Sequence, residues 1–199
     1  MSTAIETAPT TAPIPPSAEA IASRCPLGAE ARQCVRAGQS ADTLLGELVQ
    51  KQLYIDAMRL IAYKLPQREA IWWATLCVWD RARPRTGEAE GRAFQAIVDW
   101  VRQPNEQYRR AAEAAGRAAG IQTPVGMLAM AVFFSGGSIS LPDQPAVQPD
   151  PYDTAQQVAA AVVLAAKRGD AAAAQRRFVV LAAEVQQGHL SWTRKEPRP

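Results

Sequence analysis

From Asp42 to about Val185 the chain repeats apolar residues at helical spacing, and the repeat is stopped again and again by glycine or proline. Leu45, Leu48, Val49 and Leu53 begin the pattern, and Ala57, Leu60 and Ile61 continue it. A 3.6-residue period puts such positions on one face of an α-helix, whereas a half-buried strand would alternate. Asp42 can cap this first stripe, which is expected to reach Leu65 with a break near Gly46. Pro66 suits the first position of the next helix, over 66–81, where Ile71, Trp72, Leu76 and Trp79 share a face and Trp73 and Cys77 widen the apolar arc. Phe94, Ile97, Val98 and Val101 then repeat at i, i+3, i+4 and i+7, after a loop at 83–87. A helix over 104–120 ends at Gly120, with Ile121 placed for the hydrophobic contact of a Schellman ending. Thr123-Pro124 reads as an N-cap followed by proline, launching a helix with Met127, Ala131 and Phe134 on one side.

Helices joined by short turns pack as antiparallel neighbours. The expected fold is therefore all-α, one bundle of five to seven helices centred on Trp72–Trp79, with the helical domain spanning 26–190. Alanine, roughly a fifth of the residues, adds the lowest helix-forming cost of any side chain. Three segments depart from the pattern. Residues 1–25, rich in Thr, Pro, Ala and Ser, hold few large apolar groups to offset ordering entropy and are expected to be disordered. A short helix over 28–37, stopped at Gly38, follows them. Residues 135–152 carry four prolines after a double glycine, which excludes a helix and predicts an extended surface loop before the last helical region. That region begins near Asp153, is interrupted at Gly169-Asp170 and ends near Gly188, leaving 191–199 as a basic tail.

The sequence excludes more chemistry than it offers. Cys25, Cys34 and Cys77 form no metal-ligand spacing and no paired framework, which fits a reducing compartment. One histidine, His189, sits past the last helix, so histidine-based triads and zinc sites have no material. No glycine-rich phosphate motif is present, and the carboxylates form no suggestive pair. No cofactor or metal site is expected. The net charge of +3 is mild, with acids and bases interspersed, so nucleic-acid binding is not favoured. The N-terminus lacks a basic region and apolar core of signal-peptide type, and no apolar run is long enough to cross a bilayer, giving a cytoplasmic expectation.

The candidates that remain are aromatic and loop residues. Trp72 and Trp79 lie within the main stripe and are expected in the core. Trp73 and Trp100 lie beside their stripes and are candidates for a docking patch, with Phe133 at the end of its helix. Ser135, Gly136, Gly137 and Ser138 can expose backbone N–H groups at the start of the loop, and Asp143 lies within it. No catalytic residue is assigned.

KLPQREAIWWATLCV, the helix ending in WVRQP, and TPVGMLAMAVFFSGGSISLPDQP together resemble an uncharacterised bacterial family of short helical proteins encoded among accessory genes of type VI secretion clusters. The resemblance covers about 42–185 and implies an accessory, adaptor or chaperone-like role with a protein partner, but assigns no catalytic residue. A secreted effector or enzyme is the alternative, and requires a polar cleft lined by residues such as Arg68, Glu69, Arg109 or Asp143. A weaker third reading is nucleic-acid binding through Arg109, Arg110, Arg176, Arg177 and the tail.

Overall fold

The computed structural model describes residues 17–83, 88–141 and 143–190. These residues form ten α-helices and no strand. In order they are α1 (Ala18–Ala22), α2 (Ala29–Gln33), α3 (Ala41–Gln50), α4 (Tyr54–Lys64) and α5 (Gln67–Ala82), then α6 (Ala89–Arg102), α7 (Glu106–Ala119), α8 (Pro124–Phe133), α9 (Asp153–Ala166) and α10 (Ala171–Gln186). The all-α fold follows from the periodicity, but ten helices replace the expected five to seven. The first stripe divides later than its expected break, the last region divides at its expected interruption, and one helix lies where none was expected.

The division of the first stripe falls at Lys51–Leu53, with Gln52 in the left-handed region at φ 59, and α3 runs through Gly46 unbroken. The reason lies in the core, which has two clusters. Leu44 and Leu48 of α3 pack in a smaller one with Ile21, Cys25, Leu27 and Cys34. Ala57 and Leu60 of α4 join that cluster, while Met58, Ile61 and Ala62 turn into the larger one. Helix α4 is thus the wall between the two clusters. The second division, at Gly169-Asp170, is where the sequence placed it; Gly169 has φ +69 and Asp170 caps α10 by accepting from Ala173 N.

Side-chain capping explains half of the helix starts. Ser17, Ser40, Asn105 and Thr123 each accept a backbone N–H from the first turn with the side chain, satisfying a donor that the helix itself leaves open. Ser40 takes the role assigned to Asp42, which lies in the first turn and pairs with Lys64 instead. Pro66 stands one residue before α5 as its N-cap. Helix α1 corrects the expectation for residues 17–25. Ala18, Ile21 and Cys25 are buried, and Ala18 N donates to Gln39 O at 3.0 Å, so a few small apolar residues are ordered by a distant backbone. Residues 1–16 and 191–199, which hold the rest of the expected disordered segment and the basic tail, lie outside the described residues.

Helix α8 is the most enclosed element: every residue from Pro124 to Phe133 is buried except Met127, which is half-buried. It packs against α5, α6, α7 and α9, so α8 shares the centre with α5. Its approach to α7 depends on Gly126, where an added Cβ would stand 2.0 Å from the Gly120 carbonyl oxygen. Gly120 ends α7 with φ +90 as expected, but Ile121 is half exposed and makes no Schellman contact of the buried kind. Thr154 starts α9 against α8 through a bond from Oγ1 to Ala131 O at 3.3 Å. None of the described helices is long and apolar enough to cross a membrane.

Candidate functional site

The tryptophans reverse their expected roles. Trp73 is fully buried, and its indole N–H donates to Phe178 O of α10 at 2.8 Å. Trp100 is also buried, so neither residue can form an exposed docking patch. Trp72 is half-buried and donates to Leu190 O at 3.0 Å. Trp79, expected in the core, is 46% exposed and lies against Phe94, with ring centroids 5.2 Å apart. Helix α5 is apolar on most sides, so its own pattern does not mark which tryptophan faces inward. The position of α10 decides it.

The loop candidates are brought together, but by a structural clamp. Arg109 of α7 is 3% exposed; its Nη1 donates to Phe133 O at 2.5 Å and its Nη2 to Ser138 O at 2.9 Å. Arg110 donates from Nη2 to Ser138 O and Ser140 O at 2.7 and 2.8 Å. Both guanidinium carbons lie over the Phe133 ring, 5.0 and 5.3 Å from its centroid. Glu106 accepts from both arginines, and those bonds, Arg109's first, hold its carboxyl down at about 2. Gly137, at φ +65, lies so close to Arg109 that a Cβ would be 3.0 Å from Nη2. Ser135 Oγ donates to Val132 O, while Ser138 Oγ accepts from the backbone of Ser140 and Val147. Phe133, Ser135 and Ser138 therefore anchor the loop through their carbonyls and hydroxyls, while Gly136 is half-buried and Gly137 exposed beside the Arg109 guanidinium. Asp143 is exposed on the loop beyond them. Arg68 donates to the carbonyls of Val101 and Arg102, so it and Arg109 serve different backbone segments.

Open space lies elsewhere. A groove of about 380 Å³ is lined by Arg24 and Pro26 from the α1–α2 connection, Arg59 and Tyr63 from α4, and Gln156, Ala159, Ala160 and Val163 from α9. Arg59 and Tyr63 are four residues apart, so they share a helix face; the α9 residues fall at i, i+3, i+4 and i+7 and do the same. Tyr63 stacks on Tyr152 at 5.9 Å and 23°, at the point where the proline-rich loop ends. Arg24 covers Tyr152, with its guanidinium carbon 5.4 Å from the ring centroid. Asp56 holds this corner by accepting from Gly28 N at 2.8 Å and pairing with Arg59 Nη1 at 3.2 Å. Burial, with nearby Cys25, Asp150 and Tyr152, pushes the Tyr63 phenol up to about 12, so it stays a neutral donor at physiological pH. Burial likewise pushes the Cys25 thiol behind the groove up to about 12. Among the described residues, no group of His, Cys, Asp and Glu is arranged to hold a metal ion.

The family model for DUF6931, a family of unknown function, matches residues 44–186. The chain belongs to that family. Arg59, Tyr63 and the α9 wall fall inside the DUF6931 match, whereas Arg24 and Pro26 precede it. No curated protein and no solved structure matches the chain.

Sequence reasoning missed the groove. Arg24 lies in a segment expected to be disordered, and the helical periodicity assigns no binding role to Arg59, Tyr63, Ala159 or Ala160. The one available signal was the i, i+4 pair of Arg59 and Tyr63, which does not reveal that small residues of α9 stand opposite.

Proposed function

We propose that this member of DUF6931 is a non-enzymatic, cytoplasmic protein-interaction module, serving as an accessory or adaptor in type VI secretion. The observation that supports an interaction role is the groove between α4 and α9, an amphipathic recess of about 380 Å³ beside the end of the long loop. A recess with an apolar wall and a few convergent polar groups is the usual form of a recognition site. Its lining offers guanidinium and phenol donors, an amide and small apolar side chains, which suit binding and positioning. The secretion context rests on the resemblance of the 42–185 segment.

Ala160 is exposed on α9 and lines the groove, so Ala160→Arg fills the recess without touching the core. Tagged wild-type chain, expressed in its native host, is expected to co-purify a secretion component that the Ala160→Arg chain does not. Equal recovery by both chains, or no specific protein with either, overturns the reading.

A further inference from the structure

The groove carries information about what fills it. Resting on the reading of this recess as the docking site, we infer that its occupant is an acidic amphipathic peptide segment of a partner protein. Such a segment would place a leucine-sized apolar side chain on Ala159, Ala160 and Val163 and a neighbouring carboxylate between Arg24 and Arg59.

Charge complementarity is the first argument. Arg24 is exposed, and its guanidinium is held over the Tyr152 ring with no acidic partner among the described residues. Its position is fixed by the ring while its N–H donors remain available, which suits a carboxylate. Arg59 pairs with Asp56 through Nη1 alone, and that carboxylate is shared with Gly28 N. A guanidinium has five N–H donors, so one such bond leaves capacity for a second acceptor. The nearest acids on the loop side, Asp150 and Asp153, are engaged in the turn that starts α9: Asp153 accepts from Asp150 N and Asp150 accepts from Tyr152 N. Both stay charged, but neither lines the groove, whose charged lining residues are Arg24 and Arg59.

The second argument is shape. A recess of about 380 Å³ takes two or three side chains of a segment, not a folded element. A nucleic acid would bring the right charge but needs free aromatic faces for its bases. Here Tyr63 and Tyr152 stack on each other and Arg24 covers Tyr152, while the α9 wall is alanine and valine with Gln156. Apolar side chains at helical spacing, set beside acids three or four residues away, match that wall.

The test is to select binders from a random peptide library displayed on phage, using the full chain, and to measure their affinity for wild type, Arg24→Glu and Ala160→Arg. Thermal melts first establish that both variants fold as the wild type does. Selected peptides are expected to combine Leu, Ile, Met or Phe with nearby Asp or Glu and to weaken as salt rises. They should bind Arg24→Glu at least about tenfold more weakly and fail on Ala160→Arg. If Ala160→Arg abolishes binding but Arg24→Glu does not weaken it, or if the consensus is basic or uncharged, the acidic-segment inference falls and the groove remains a docking site. If the peptides ignore Ala160→Arg, or none is recovered, both readings fall. Tight binding of a single-stranded oligonucleotide that Ala160→Arg removes would also overturn the inference, in favour of nucleic acid.

Discussion

Arginine meets an aromatic ring at two places among the described residues, and the two differ in what surrounds the guanidinium. Arg109 and Arg110 share the face of Phe133, and their N–H groups are taken up by the carbonyls of Phe133, Ser138 and Ser140 and by Glu106. Arg24 covers Tyr152 beside Arg59, and the donors there face an open recess. Both places set guanidinium groups over an aromatic ring, two on Phe133 and one on Tyr152. The first completes the fold by giving partners to loop carbonyls; the second leaves its capacity for something outside the chain. Arginine-on-aromatic is thus a structural device or a recognition device according to which donors are already engaged.

The contrast can be broken most sharply at Arg109. Arg109→Ala leaves the buried Phe133 carbonyl without its donor and releases the loop, with an expected loss on the order of 3 kcal/mol in denaturant unfolding. Gly137→Ala strains a left-handed position and presses on the same guanidinium, at an expected cost of about 1–2 kcal/mol. A smaller effect is expected at Glu106, which is well exposed to solvent. Its depressed carboxyl contributes stability that is present above the ordinary carboxylate range and is lost as pH falls towards about 2. Glu106→Gln should therefore flatten the acid limb of stability against pH, by under about 1 kcal/mol. The smallest effect is expected on the other side of the comparison, where Arg24→Ala should change stability by no more than about 0.5 kcal/mol. If Arg24→Ala destabilises as much as Arg109→Ala does, the distinction between the two places is lost.

The two places should also differ in alkali. Tyr63 and Cys25, beside and behind the groove, are raised to about 12 by burial, so their contribution is present below their ordinary ranges and is lost as pH rises towards that value. Tyr63→Phe should flatten the alkaline limb of the stability profile and leave the acid limb unchanged. A profile unchanged by Tyr63→Phe would contradict the burial of that phenol.

Much of the fold is legible in the sequence because local chemistry sets it. The Thr123-Pro124 start of α8, the break at Gly169-Asp170 and the unstructured course of the proline-rich loop each depend on neighbouring residues. What could not be read depends on distant ones. Trp73 is inward because Phe178 O, more than a hundred residues along, receives its N–H, and nothing in the 72–79 segment encodes that partner. Arg109 and Arg110 are visible as a basic pair, yet their carbonyl partners lie 24 to 30 residues away across a turn. The groove is harder still, since three separate segments assemble it and its α9 wall consists of small residues that also suit a core.

The most direct measurement follows alanine and other methyl resonances of the full chain by NMR as the host partner or a selected peptide is added. The expected result is that Ala159, Ala160 and Val163 shift and saturate together, while Leu141, Ala146 and Val147 of the clamped loop stay in place. Shifts confined to Leu141, Ala146 and Val147, with Ala159 and Ala160 unmoved, would place recognition on the loop and contradict the groove between α4 and α9 as the docking site.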